Sequence, residues 1–293
     1  MKTIPAKTIL SAFESDGWFG TNYNMNLYKG CCHGCIYCDS RSKCYRIYHF
    51  DTVRAKDNAL FLLEDELRSK RKRGIIGSGA MSDFYNPFEK EYELSRGALK
   101  LIEKYGYGIV LDTKSDLVLR DIDVLRCIQK NAPAFVNFTI TTADDELCLR
   151  IEQHVTPSSL RFKAMKELHE AGIEGGILMM PILPFINDTP ENILAIINMA
   201  EDAHARYIYP AFGVTLRQNQ REYFFDRLDE EFPGMKLQYI QYFGESYSCE
   251  SPRAKDLWRL FQSECSKRGI LYKMKDISQY IRKDYDREQL SLL

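Results

Sequence analysis

The sequence predicts an α/β fold, a partial (β/α)6 barrel of the TIM type with a C-terminal α+β extension. Three observations carry this prediction. Between about residues 24 and 210, short β-branched or apolar runs alternate with longer amphipathic ones, the rhythm of parallel strands joined by right-handed helical crossovers. After about residue 212 the rhythm changes. Four of the nine cysteines crowd into positions 31–38, directly after the first strand-like run. The boundaries that follow are an N-terminal extension at 1–20, the barrel at 21–211, the α+β region at 212–283 and an exposed tail at 284–293.

The elements can be justified in order. Asn24–Tyr28 reads as a strand entering the cysteine loop. Lys56–Arg73 reads as a helix because Leu60, Leu63 and Leu67 recur at helical spacing. Gly74–Gly77 is strand and Tyr92–Tyr105 helix; Tyr107–Thr113 is strand and Arg120–Lys130 helix. Ala134–Thr139, Ile173–Met180 and Arg206–Pro210 supply three more strands. Ser158–Ala171 and Pro190–Ala203 are the helices between them. Six strand–helix units are too few for a closed eightfold barrel, so one side is expected to be open. Beyond the barrel, Gln220–Glu231 and Arg253–Arg268 read as helices and Leu237–Tyr242 as strand, a cap or closing subdomain.

Composition narrows the class. The chain has 293 residues, 45% hydrophobic and 28% charged, with a formal net charge of −1. That is ordinary for a globular protein, and overall charge does not point to nucleic acid. Met1–Ser15 lacks the apolar core of an export signal. The most apolar stretch, Gly175–Ile186, is too short for a membrane span and contains Pro181 and Pro184. The expectation is a cytoplasmic protein with no membrane partner. An odd number of cysteines in a reducing compartment argues against a disulfide framework and for metal ligation.

The loop reads Gly30-Cys31-Cys32-His33-Gly34-Cys35-Ile36-Tyr37-Cys38. Its pattern is C-x3-C-x2-C with an aromatic before the last cysteine. Three thiolates, from Cys31, Cys35 and Cys38, would leave one iron of a 4Fe–4S cubane without a protein ligand. A small molecule with amino and carboxylate groups, such as S-adenosylmethionine (SAM), can take that position. A zinc site built from these three with Cys32 or His33 is the competing reading, although zinc sites usually pair two such hooks and no second hook is present. Cys44, Cys127, Cys148, Cys249 and Cys265 are scattered and read as small buried hydrophobes, with Cys44 and Cys249 in the most polar surroundings.

The cysteine loop resembles that of the radical SAM superfamily. Ser78–Pro87, Thr113-Lys114-Ser115, Thr139–Thr142 and Ala171-Gly172-Ile173 leading to Met180-Pro181-Ile182 resemble the spore photoproduct lyase-like branch, also called DNA repair photolyase-like. The resemblance covers about residues 20–210. It implies a 4Fe–4S cluster, SAM, an external electron donor, reductive cleavage of SAM to a 5′-deoxyadenosyl radical, and abstraction of hydrogen from a substrate, a nucleic-acid lesion or component. It also implies roles: Ser82 at the SAM amino group, Lys114 at its carboxylate, Thr139 near the ribose, Tyr37 shielding the cluster near adenine, and Asp83 orienting Ser82 or a substrate. Read alone, these side chains have plainer uses: a turn cap for Ser82, a surface charge for Lys114, a strand residue for Thr139. The branch's lyases carry a cysteine just before the Ser-Asp pair; here the stretch is Ala80-Met81-Ser82-Asp83, with no thiol to return a hydrogen atom.

Two segments stand apart. Arg68–Arg73 is the densest basic run, and it ends a helix where cations complement the dipole. The last residues, Gln289-Leu290-Ser291-Leu292-Leu293, resemble the peptide by which bacterial DNA repair proteins hold the sliding clamp. Gln289, Leu290, Leu292 and Leu293 would make the contacts. A non-catalytic iron–sulfur or zinc protein is the alternative to the enzyme.

Overall fold

In the computed structural model, residues 1–13, 18–79, 81–283 and 285 are described. Six parallel strands form the body, hydrogen-bonded in chain order: β1 (Tyr23–Met25), β2 (Ile75–Ser78), β3 (Gly108–Thr113), β4 (Ala134–Thr139), β5 (Glu174–Met179) and β6 (Tyr207–Pro210). A short strand, Leu10–Ala12, adds antiparallel to β1 at one edge, and β6 forms the other. The two edges are not paired with each other, so the barrel is open.

The strands form where the chain can bury both faces. All six residues of β4 are buried, as are five of the six in β3, as expected of parallel strands covered by helices. The crossovers are α1 (Ala59–Ser69), α2 (Leu94–Lys104), α3 (Ile122–Gln129), α4 (Ser158–Glu170) and α5 (Pro190–Asp202). Each turns an apolar stripe inward. In α1 the stripe is Ala59, Leu63 and Leu67, four residues apart. α5 starts where Thr189 Oγ1 accepts the Asn192 amide at 3.2 Å, with Pro190 at the first helical position.

Two glycines in β5 make room inside the barrel. A Cβ on Gly176 would lie 2.1 Å from the Tyr207 ring, and one on Gly175 would lie 1.7 Å from the Val136 carbonyl oxygen. The bare Cα of Gly176 admits the Tyr207 ring, whose hydroxyl donates to Asn137 Oδ1 at 2.5 Å.

Aromatic packing fills the open side. Phe19, fully buried, lies 5.1 Å from the Trp18 ring centre and 5.6 Å from that of Tyr207. The helix Met274–Arg282 packs against this turn, and Arg282 Nη1 donates to the Gly20 carbonyl at 2.6 Å.

The C-terminal region builds its own core. A two-stranded antiparallel ribbon of Gly213–Thr215 and Ser248–Glu250 brackets the helices Gln220–Glu231 and Met235–Phe243. Phe224, Leu228, Tyr239 and Cys249 form an apolar cluster that also takes in Ile36, Ile151 and Leu183 from the barrel. Leu237–Tyr242, expected to be strand, lies inside the helix Met235–Phe243. Tyr239 and Phe243, one turn apart, pack on each other at 5.4 Å, and Tyr239 packs on Phe224 at 5.3 Å. Glycines at 234 and 244, both with positive φ, bound the helix. Its aromatic and branched residues, Tyr239, Ile240 and Tyr242, suit a strand as well as a helix.

Asn24–Tyr28 is also divided. β1 ends at Met25, and Tyr28–Lys29 pairs with Arg54–Lys56 in a separate three-stranded sheet with Lys2–Ile4. The basic run Arg68–Arg73 precedes β2 and therefore sits at the N-terminal end of the barrel strands, with Arg68 bonded to Asp65 at 2.7 Å and Lys70 4.8 Å from the Tyr23 ring centre. Among the described residues no helix is long and apolar enough to cross a membrane. Gln289, Leu290, Leu292 and Leu293 lie outside the described residues, as does Ala80.

Candidate cofactor site at the C-terminal ends of the barrel strands

The site begins with the turn that follows Tyr28–Lys29. Gly30 has φ +85°, and a Cβ there would lie 2.5 Å from the Thr52 carbonyl oxygen, so glycine is what lets the chain fold back here. The Cys31 amide then donates to the Phe50 carbonyl at 2.9 Å. The middle of the loop is zipped to the segment 151–154. Cys35 bridges Glu152, the Ile36 amide donates to Ile151 O at 3.0 Å, and the His154 amide donates to His33 O at 3.0 Å. From the cap, Gln220 Nε2 donates to Tyr37 O at 3.2 Å. The loop is thus held from both sides.

A cavity opens above the C-terminal ends of β2, β3 and β4. Cys31, Cys35 and Cys38 line it together with Ser82, Lys114 and Thr139. With Asp83, seven of the eight residues to which the resemblance gives a role therefore converge on one space. Tyr37 is buried behind them, with Lys114 Nζ 5.9 Å from its ring centre. All nine cysteines are free thiols. Burial pushes the Cys31 thiol up to about 12 and raises Cys35 and Cys38 as well. Metal loading must therefore release protons.

Asp83 organises the wall. Its Oδ1 accepts from Thr113 Oγ1 at 2.7 Å and from the Tyr85 amide at 2.9 Å; its Oδ2 accepts from the Lys114 amide at 2.8 Å. His33 Nδ1 stands 3.4 Å from the same oxygen. Asp83 thereby joins the loops after β2 and β3. Beside it, the Ser82 hydroxyl is buried and has no hydrogen-bond partner among the described residues. Buried polar atoms are rarely left so, and an orphan donor facing a cavity suits a polar ligand.

The electrostatics suit an acid-bearing ligand. Burial alone would lower the Lys114 pKa, but Cys35, Glu152 and Asp83 raise it above the ordinary lysine value, so the ammonium stays charged. Burial pushes the Asp112 carboxyl up to about 7. One of its oxygens accepts from Asn137 Nδ2 at 2.9 Å, and Asn137 is in turn bonded to Tyr207.

Three residues, Glu152, Arg161 and Asp112, were not singled out in the sequence as parts of a site; His33 entered there only as a ligand of the competing zinc reading. Glu152 accepts the Tyr37 hydroxyl and a 2.6 Å bond from Arg161 Nη2. His33 and Asp112 line the cavity. No local pattern marks Glu152 or Arg161; the signal available was a charged pair nine positions apart bracketing a helix start. Among the described residues no three His, Cys, Asp or Glu side chains converge on a point that could hold a single metal ion. A tetrahedral zinc site needs such convergence. A cubane does not, because each thiolate meets a different iron.

Comparison with known proteins agrees with this geometry. An uncharacterised protein of Methanocaldococcus jannaschii is 35% identical over 173 residues, 58% of this chain and 63% of that protein. The alignment thus spans less than two thirds of that relative. An uncharacterised protein of Mycobacterium tuberculosis is 26% identical over 243 residues, 80% of this chain and 71% of its own length. Among solved structures, spore photoproduct lyase complexed with dinucleoside spore photoproduct superposes with a TM-score of 0.61 at 14% identity, covering 87% of this chain and 78% of that one. The fold is therefore shared with that lyase. The profile of the radical SAM superfamily matches residues 25–199, which spans the cysteine loop and the strands β2 to β5, and the chain belongs to that superfamily.

Proposed function

We propose that the protein is a radical SAM enzyme in which Cys31, Cys35 and Cys38 hold a 4Fe–4S cluster and the open iron binds SAM. The observation that carries this is the convergence of three thiols, the orphan Ser82 hydroxyl, the Lys114 ammonium and Thr139 on one cavity at the strand ends, where barrel enzymes keep their chemistry. The residues present fit the group. Lys114 supplies a cation for the carboxylate of SAM, Ser82 a free hydroxyl for its amino group, and Thr139 a polar side chain toward the ribose. Tyr37 backs the cluster. When bound and reduced by an external donor, the cluster and SAM together supply a 5′-deoxyadenosyl radical that abstracts hydrogen from a substrate. The protein's own part is to bind, orient and shield. The cap and the cysteine loop share one apolar cluster, which keeps water from the loop's rear.

The substrate reading is a nucleic-acid component, acted on in a lyase-like reaction. It is supported by the fold shared with a lyase solved in complex with a dinucleoside photoproduct. Residues 80 and 81 carry no thiol, so efficient reversal of that particular lesion is not expected. Anaerobic reconstitution with iron and sulfide, followed by reduction with SAM present, tests the function. Release of 5′-deoxyadenosine supports it. Zinc uptake with neither visible absorbance nor SAM cleavage would favour the metal-binding module instead.

A further inference from the structure

Glu152 and Arg161 form a fully buried ion pair, Oε2 to Nη2 at 2.6 Å, and the function proposed above gives them no task. A buried pair is weak support for stability, since its desolvation cost can exceed its attraction, and apolar residues of equal volume often serve better. Its placement gives another reason for it. Glu152 spends its second oxygen on the Tyr37 hydroxyl, and its backbone bridges Cys35. Arg161 spends its remaining donors on two carbonyls: Nη1 on that of Thr139, and Nε on that of Thr156 at 2.5 Å. The Thr156 amide donates in turn to the Lys114 carbonyl at 3.2 Å. One ion pair therefore reaches a cluster thiol's strand, the aromatic behind it, the end of β4 and the loop after β3. Cys148 completes its surroundings, with Sγ 3.3 Å from Arg161 Nη2.

We infer that the Glu152–Arg161 pair is a positioning strut that presets Tyr37, Thr139 and Lys114 for SAM before any cofactor is present. The inference rests on the function proposed above for what the preset serves. It rests on this chain's own hydrogen bonds for the preset itself. Neither residue touches the cavity; both act through others. The polarity of the network leaves no slack. Arg161 can only donate and Glu152, as a carboxylate, can only accept, so each bond has one possible direction. Arg161 and Lys114 together hold the Glu152 carboxyl below its ordinary value against the opposing effect of burial.

The test has two arms. In the apoprotein, amide hydrogen exchange is compared between the parent and Glu152→Gln, which keeps the size but loses the charge. Exchange should quicken about tenfold at residues 35–38 and 154–156 and stay unchanged in β3. Equal protection of the loop in both proteins overturns the strut, whether or not the protein cleaves SAM. In the reconstituted protein, Glu152→Gln should retain its iron while the KM for SAM rises about tenfold, and Tyr37→Phe should raise it by less. The double variant should be no worse than Glu152→Gln alone, because both changes cut the same link. Additive losses would show that Tyr37 and Glu152 act separately and would overturn the proposal. A parent that loads no cluster would overturn the function while the exchange arm still decides the strut. Should Glu152→Gln misfold, Tyr37→Phe, which leaves the ring in place, carries both arms.

Discussion

The two ends of the barrel treat polar side chains differently. At the N-terminal end they are satisfied or in water: Glu174 accepts from Arg206 Nε and from the Tyr280 hydroxyl, both at 2.6 Å, and Tyr107 donates to Leu67 O at 3.1 Å. At the C-terminal end Asp83, Glu152 and Arg161 are fully engaged, but buried hydroxyls beside them are not. The hydroxyls of Ser78 and Ser82 have no partner among the described residues, and the half-buried Asp112 lines the cavity. The first pattern is what stability alone produces. The second carries a cost that stability does not explain, and it is found at the end where barrel enzymes place their loops.

Substitutions at the two ends should therefore separate loading, binding and folding. The largest effect is expected at the thiols. Cys31→Ala should cut iron content and SAM cleavage by an order of magnitude or more. Cys32→Ala, one residue along, should leave both near the parent level. Loss of iron on changing Cys32 but not Cys31 would mean that the ligand set is wrong. Next comes Lys114→Ala, which should weaken SAM binding about tenfold or more, the worth of a charge-assisted bond, with the cluster retained. Isothermal titration of the reconstituted protein measures it, and unchanged affinity would return Lys114 to the role of a surface charge.

A smaller effect concerns Asp112. Its carboxyl is raised in the fold to about 7 from an ordinary value near 4, chiefly by burial. A group shifted upward binds more protons folded than unfolded. Its contribution is most favourable below about pH 4 and is lost as pH rises through about 7. Asp112→Asn keeps an acceptor for Asn137 and cannot ionise. The apo variant should therefore melt about 3 °C higher than the parent at pH 8 and equally at pH 4. A gain at acid pH only would reverse the sign and refute the account. The smallest effect should come from the far end: replacing Arg71 and Lys72 with alanine should change SAM cleavage less than twofold and stability within about 0.5 kcal/mol. A large loss of activity would break the division between the ends.

Much of this was legible in the chain because it is local. The spacing of Cys31, Cys35 and Cys38 is a property of eight residues, and the runs 108–113 and 134–139 are apolar enough to announce buried parallel strands. Lys114, just after the first run, and Thr139, at the end of the second, could be named only through the family resemblance; read alone they are a surface charge and a strand residue. What stayed hidden depends on contacts between distant segments. Glu152 and Arg161 look like any charged pair until the fold brings Tyr37 above them, 115 residues from Glu152 in sequence. The strand Leu10–Ala12 is three residues long and exists because β1 offers it an edge. Leu237–Tyr242 was misread because aromatic residues suit either a sheet or a helix packed on other aromatics, and the deciding neighbour, Phe224, comes from another element.

The Gln220–Tyr37 bond bears on modularity. The cap begins after β6 and has its own helices, so it looks like a detachable cartridge that could be exchanged to change substrate. Yet its core is built partly from Ile36 and Tyr37, residues between Cys35 and Cys38, and its first helix caps the Tyr37 carbonyl. A graft made at the end of β6 would strip the back of the cysteine loop. The heritable unit of this protein is thus the cap together with residues 35–38, and swaps that preserve this seam are the ones expected to yield working chimeras.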